Sequence, residues 1–256
     1  MLLDAFGRLW PDGLRAKFVV TPGGFVQAGW PPSWRGRAGW GSRGVDLQPL
    51  LLEAEELLRG VVTPRVLRAA RGKTDVLTIG VDVLSEGHAE HAELVAIFNV
   101  EKQALVRWTG KSYPTAGQEH TLVHVVDLDS HLLEIAGERA LILGCQDLNM
   151  YSPRGRANQS PTGPRRARCD EMKRCVARFR PTVVLQHPHS TDTPNIWRTP
   201  WLSLVREVPS ATAWASGIEY FNWNGRPRAG LTDVLERTRS SGRDVHDLLV
   251  EAGTYA

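Results

Sequence analysis

Apolar positions in this chain fall into short runs and face-spaced sets that alternate along its length. Residues 14–20 read as a short strand running into the turn Thr21-Pro22-Gly23-Gly24. Asp46 is placed to cap a helix through Leu58, with Leu47, Leu50, Leu51, Ala54, Leu57 and Leu58 on one face. Pro64 opens a second helix that ends near Gly72. Strands are predicted over 75–83, 93–100 and 104–108, the last two joined as a hairpin at Glu101-Lys102, and another over 121–126. A helical stretch is predicted over 129–136, followed by an apolar strand that ends on Gly144. Beyond it the pattern gives a helix over 163–179, a core strand over 182–186, a helix over 197–207, a strand over 211–215, and a helical tail from 231 interrupted at Ser240-Ser241-Gly242. The stretch 27–44, with Trp30, Trp34 and Trp40 among prolines and glycines, is expected to be a long loop.

Helices and strands thus alternate, hairpins are inserted, and no internal repeat is evident. This predicts the α/β class, as a layered sandwich with mixed sheets. With 256 residues and 42% hydrophobic content, one domain spanning 1–256 can hold a substantial core. The three cysteines, Cys145, Cys169 and Cys175, form an odd, sparse set without a CxxC pair, which points to a reducing compartment. Asp4 and Arg8 interrupt the apolar core a signal peptide would need, and no run approaches the roughly 20 apolar residues of a membrane span. A soluble, cytoplasmic protein without a membrane partner is expected.

The formal net charge of +3 is unevenly spread. Residues 153–180 hold nine basic side chains against Asp170 and Glu171, a local +7 that leaves −4 for the rest of the chain. Such a segment suits either a solvated helix face or an anionic partner. With Arg35, Arg37 and Arg43 among the tryptophans of 27–44, a nucleic-acid contact through these two segments is one expectation.

Candidate chemistry centres on Cys145, at the tip of the strand Leu-Ile-Leu-Gly. A glycine before such a cysteine permits a tight turn that exposes the sulfur rigidly, beside backbone N–H groups able to hold an oxyanion. The competing reading is a cysteine that merely packs. Lys111 follows the predicted hairpin among Trp108, Tyr113 and Pro114, and Glu119 lies eight residues further on. His187 and His189 close the 182–186 strand, and Asp192 follows them. They suit a polar pocket wall better than a metal centre, because no third ligand stands out among His88, His91, His120, His124, His131 and His246. Asp147 and Asn149 suggest the Gly-Asp-x-Asn run of metal-dependent phosphoesterases, but Cys145 and Gln146 interrupt it.

The hairpin of 95–108, then Lys111, Glu119 and Cys145-Gln146-Asp147, then the strand and helix over 181–206, together resemble the nitrilase, or carbon–nitrogen hydrolase, superfamily. The resemblance covers residues 14–220. It implies an αββα sandwich, commonly dimeric, with no metal or organic cofactor. It implies Cys145 as nucleophile, Lys111 as stabiliser of thiolate and oxyanion, and Glu119 beside the lysine. The family's glutamate base belongs in a Pro-Glu context after an early strand, and here Gly23 stands in that place. Three readings stay open: Glu119 is redeployed as base, His187 or His189 carries the proton, or the pocket persists without the reaction. The leading expectation is thiol-dependent hydrolysis of an amide-type bond in a small molecule, an anionic one among the candidates, with His187, His189, Arg154, Tyr113 and Gln146 contacting substrate. The rival is a binding module for a nucleotide, another small ligand or nucleic acid.

Overall fold

A computed structural model describes residues 1–32, 34, 38–39, 46–84, 90–155, 162–190, 193–220, 229–241 and 245–250. Its first sheet has strands β1 (Ala16–Val20), β2 (Val26–Gly29), β3 (Thr74–Leu84), β4 (His91–Asn99) and β5 (Ala104–Gly110). The long β3 carries both β1 and β2, in line and parallel to it, along one edge, and β4 and β5 continue antiparallel on the other. The second sheet runs β6 (Leu132–Ile135), β7 (Glu138–Leu143), β8 (Val183–Gln186), β9 (Ala213–Ser216), with the β6–β7 hairpin antiparallel and the remaining pairs parallel. Both sheets are mixed.

Period-two alternation sorts each strand's side chains between two faces. Val76, Val95 and Ile97 of the first sheet meet Ala140, Ile142 and Leu185 of the second in an apolar layer between the sheets. The opposite face of β3, with Leu77, Ile79, Val81 and Val83, packs under α1 (Gln48–Val61) and α2 (Pro64–Ala70) through Leu50, Ala54, Leu58 and Val66. Leu141, Leu143 and Val184 pack likewise against α3 (Pro164–Phe179) and α4 (Pro194–Glu207) through Met172, Val176, Trp201 and Leu204. The order of layers is helices, sheet, sheet, helices, as the sandwich expectation requires.

Several sequence expectations need correction. The stretch 129–136 is not a helix: a 3₁₀ turn, Leu128–His131, leads directly into β6. Residues 121–126 hold only an isolated bridge from Leu122 to His91. Part of the expected loop is strand β2, and Trp34 is buried in the layer under α1, edge-on to Trp30 at 5.7 Å between ring centroids. The remaining Trp40, Arg35, Arg37 and Arg43 lie outside the described residues. The tail helix α5 spans only Leu231–Thr238. Among the described residues, no helix is long and apolar enough to cross a membrane.

Candidate active site

Parallel strands of both sheets end at one edge of the sandwich, the place where α/β folds gather their ligands. β1 runs out to Gly23, β7 to Cys145, and β8 to His187 and His189. Backbone hydrogen bonds tie these tails together: Gly23 N–H donates to Pro188 O at 3.0 Å, and His187 N–H to Leu143 O at 3.0 Å. A Cβ on Gly144 would lie 2.7 Å from Lys111 Cα, so only glycine lets the β7 tip press against the backbone that carries the lysine.

Asp147 locks that contact. Its buried carboxylate accepts from Gly144 N–H at 2.9 Å through one oxygen, and from Ser112 N–H at 3.0 Å and Tyr113 N–H at 2.8 Å through the other. Gln186 Nε2 donates to Cys145 O at 2.9 Å, and Ser216 Oγ holds Gln186 Oε1 at 2.8 Å. The cysteine turn is therefore fixed by β8 on one side and by the segment after β5 on the other.

Two acids that sequence reasoning passed over complete the site. Asp82 on β3 and Glu93 on β4 are directly opposed in the antiparallel register, and alternation puts both on the inter-sheet face with Val76 and Val95. Like charges so placed repel, and each is met by its own cation. His189 Nε2 lies 2.8 and 2.9 Å from the two Asp82 oxygens. Lys111 Nζ donates to Glu93 Oε1 at 2.7 Å and to Gln118 Oε1 at 2.7 Å, while Gln118 Nε2 donates to Glu93 Oε1 at 2.9 Å. Glu93 Oε1 is thus saturated, whereas the buried Oε2 accepts no hydrogen bond among the described residues and lies 3.5 Å from His189 Nδ1.

Cys145 Sγ, a Glu93 carboxylate oxygen and a His189 ring nitrogen lie within 4.8 Å of one another. The His189 backbone N–H donates to Sγ at 3.4 Å. Carboxylate, imidazole and sulfur are donors that zinc accepts, yet the Lys111 ammonium already holds this carboxylate and opposes a second cation there. Burial pushes the Glu93 carboxyl up, but Lys111, the hydrogen bond to His91 and the nearby His189 bring it down to about 2. Burial depresses His189, but the Asp82 and Cys145 contacts and the Glu93 charge carry it to about 11.

The other expected site residues are placed as follows. His189 reaches the buried Cys145, and Lys111 is linked to it through Glu93. Glu119 does not reach the lysine: it pairs with Arg165 Nε, and its neighbour Gln118 touches the ammonium instead. His187 is wholly buried at the junction of the sheets, where burial drives it down to about 3 and keeps the ring neutral. Tyr113 is buried beneath the Arg165 guanidinium, 5.1 Å from the ring centroid. Gln146 bonds Asn149 Nδ2 within the turn after Cys145. Arg154 bonds Thr199 Oγ1 at 2.7 Å on α4. Asp192 lies outside the described residues. Several cations of the basic segment are already paired, Arg166 with Asp170 inside it and Lys173 with Glu207 and Arg178 with Asp129 outside it, while Arg168 is buried and donates to Val126 O.

No protein-family model matches this chain, and no curated protein matches it. Among solved structures, the chain is similar to an amidase from Nesterenkonia sp., at 14% identity and a TM-score of 0.42, covering 85% of this chain and 81% of that one. It is likewise similar to a mutant of the Nesterenkonia sp. AN1 amidase bearing acrylamide at its active-site cysteine, at 16% identity and a TM-score of 0.44, covering 84% and 71%. Another mutant of that amidase, from the nitrilase superfamily, is 17% identical with a TM-score of 0.45, covering 83% and 68%.

Proposed function

We propose that this protein hydrolyses an amide-type carbon–nitrogen bond of a small molecule through a thioester on Cys145, as a divergent carbon–nitrogen hydrolase. One observation carries the reading: the Cys145 sulfur meets the same buried carboxylate, Glu93, that holds the Lys111 ammonium at 2.7 Å. A rigid, buried thiol close to a fixed cation supplies what attack on a carbonyl carbon requires. The sulfur adds to the carbon and negative charge collects on the carbonyl oxygen. Lys111, the buried cation next to the cysteine turn, is the group that stabilises it. Gln118 and Glu93 Oε1 fix the ammonium so that no reorganisation is needed when that charge develops.

Iodoacetamide at neutral pH, followed by peptide mapping, tests the nucleophile. Cys145 is expected to alkylate well ahead of Cys169, whose thiol burial pushes up to about 11, and of Cys175. Acetamide and propionamide hydrolysis, followed by ammonia release, is expected from the wild type and absent in Cys145→Ala. An inert Cys145, or ammonia release unchanged in Cys145→Ala, would overturn the reading.

A further inference from the structure

We propose that His189, held by Asp82, is the proton shuttle of this site, in the space that a side chain at position 23 would otherwise occupy. The inference rests on the hydrolase reading above and assigns the step which that reading leaves open.

Gly23 itself shows the substitution of parts. A Cβ there would meet His187 O at 2.7 Å and the His189 ring at 3.1 Å, at both Cε1 and Nδ1. A side chain at 23 would collide with the His187 carbonyl and crowd the ring, and here the imidazole stands against the bare glycine. The ring is oriented by Asp82, which takes Nε2 through both oxygens. Nδ1 is left on the side where Glu93 Oε2 lies 3.5 Å away. The backbone N–H of the same residue already donates to Sγ. A cysteine, an imidazole and an orienting carboxylate is a set that recurs on unrelated folds and is recognised by geometry.

Two buried bases compete for the thiol proton, and their affinities decide between them. Glu93, held near 2 by the lysine, keeps no proton, whereas His189, held near 11, keeps one beside Sγ and can pair with a thiolate as imidazolium. The charged and titratable groups around the ring are Asp82 from β3, Glu93 from β4, Cys145 after β7 and Glu219 after β9, with Lys111 behind Glu93.

The resulting cycle balances. The cycle starts from a Cys145 thiolate paired with the His189 imidazolium, whose Nδ1 carries the proton to be transferred. Sγ bonds the carbonyl carbon, and the π pair moves to oxygen. As the intermediate collapses, the C–N bond breaks and the Nδ1 proton goes to the departing nitrogen, which leaves as amine. The neutral ring then takes a proton from water, whose oxygen attacks the thioester carbon. The C–S bond breaks, the acid departs, and thiolate and imidazolium are restored.

The test is the pH dependence of Cys145 alkylation by iodoacetamide in the full chain, a readout that needs no substrate. In the wild type the rate is expected to be nearly flat from pH 5 to 8, because the proton already rests on His189. In His189→Gln it should rise with the pH of an ordinary thiol, whose pKa is about 8.5, and be about 100-fold below wild type at pH 6. Asp82→Asn, which keeps the ring but removes its countercharge, should fall between the two and lose amide hydrolysis by about 10²-fold. A flat profile in both variants, or a profile moved by Glu93→Gln alone, overturns the shuttle while leaving the nucleophile intact. A wild-type Cys145 that never alkylates overturns the underlying hydrolase reading instead. Should His189→Gln lose its native circular dichroism, Asp82→Asn decides the question by the same profile.

Discussion

Asp82 and Glu93 show how single residues define this site. Both interrupt otherwise apolar strands, and the register places them face to face. Two opposed carboxylates in a sheet are tolerable only with compensation, which Lys111 and His189 supply. The Lys111–Glu93 pair is buried at both ends, so removing one partner leaves an uncompensated charge. Glu93→Gln is expected to lower stability by about 3 kcal/mol in urea unfolding, while Glu93→Gln with Lys111→Met recovers most of that loss. The pair's contribution is present above the unfolded carboxyl value of 4.5 and fades as pH falls towards about 2. In the sequence, Cys145 and Lys111 were legible because they stand at the ends of apolar runs. Glu93 was not, because its partners lie on a loop and a β8 tail whose approach only the fold provides. The available signal was the pair of acids inside two strands of a sheet, each where an apolar residue would be expected.

At the scale of elements, the β7 tip is placed by Asp147 rather than by its own strand. This one carboxylate satisfies three buried backbone N–H groups, two of them from the segment after β5 that also carries Lys111. Asp147→Ala would strip all three, each a hydrogen bond to a charged group worth about 1.5–3 kcal/mol. We expect a loss of at least about 3 kcal/mol by denaturant titration, and with it the loss of preferential alkylation at Cys145. The family-like Cys-Gln-Asp run therefore carried more information about geometry than its use as a motif suggested. The stretch 129–136 misled for a definable reason: Leu-Leu-Glu-Ile is too short for periodicity to separate strand from helix. The deciding signal was the next dipeptide, Ala136-Gly137, where φ values of 53° and 76° make the two-residue turn of a hairpin. Glu119 failed similarly, since one residue along a 3₁₀ turn sends Gln118 towards the lysine and Glu119 towards Arg165.

For the whole molecule, sealing a polar edge between two sheets gives stability a pH dependence with separate acid and alkaline limbs. Burial lowers His187 to about 3, and burial with Arg168 and Lys111 nearby lowers His124 to about 4. In the unfolded chain both rings protonate near the ordinary imidazole value of 6.5. Between these limits the unfolded state binds more protons, so stability falls as pH drops below about 6.5, by up to about 1.4 kcal/mol per pH unit for each ring. His189 acts with the opposite sign. Its folded value is raised, so its contribution is complete below 6.5 and disappears as pH rises towards about 11. Thermal unfolding followed from pH 4 to 10 is expected to give a maximum between the two limbs. His187→Gln should flatten the acid limb and leave the alkaline one in place. Asp82→Asn should do the reverse, because a ring without its carboxylate no longer holds its proton above neutrality. An acid limb that persists unchanged in His187→Gln would mean that this ring is protonated in the folded protein, and the dry junction between the sheets would have to be wet.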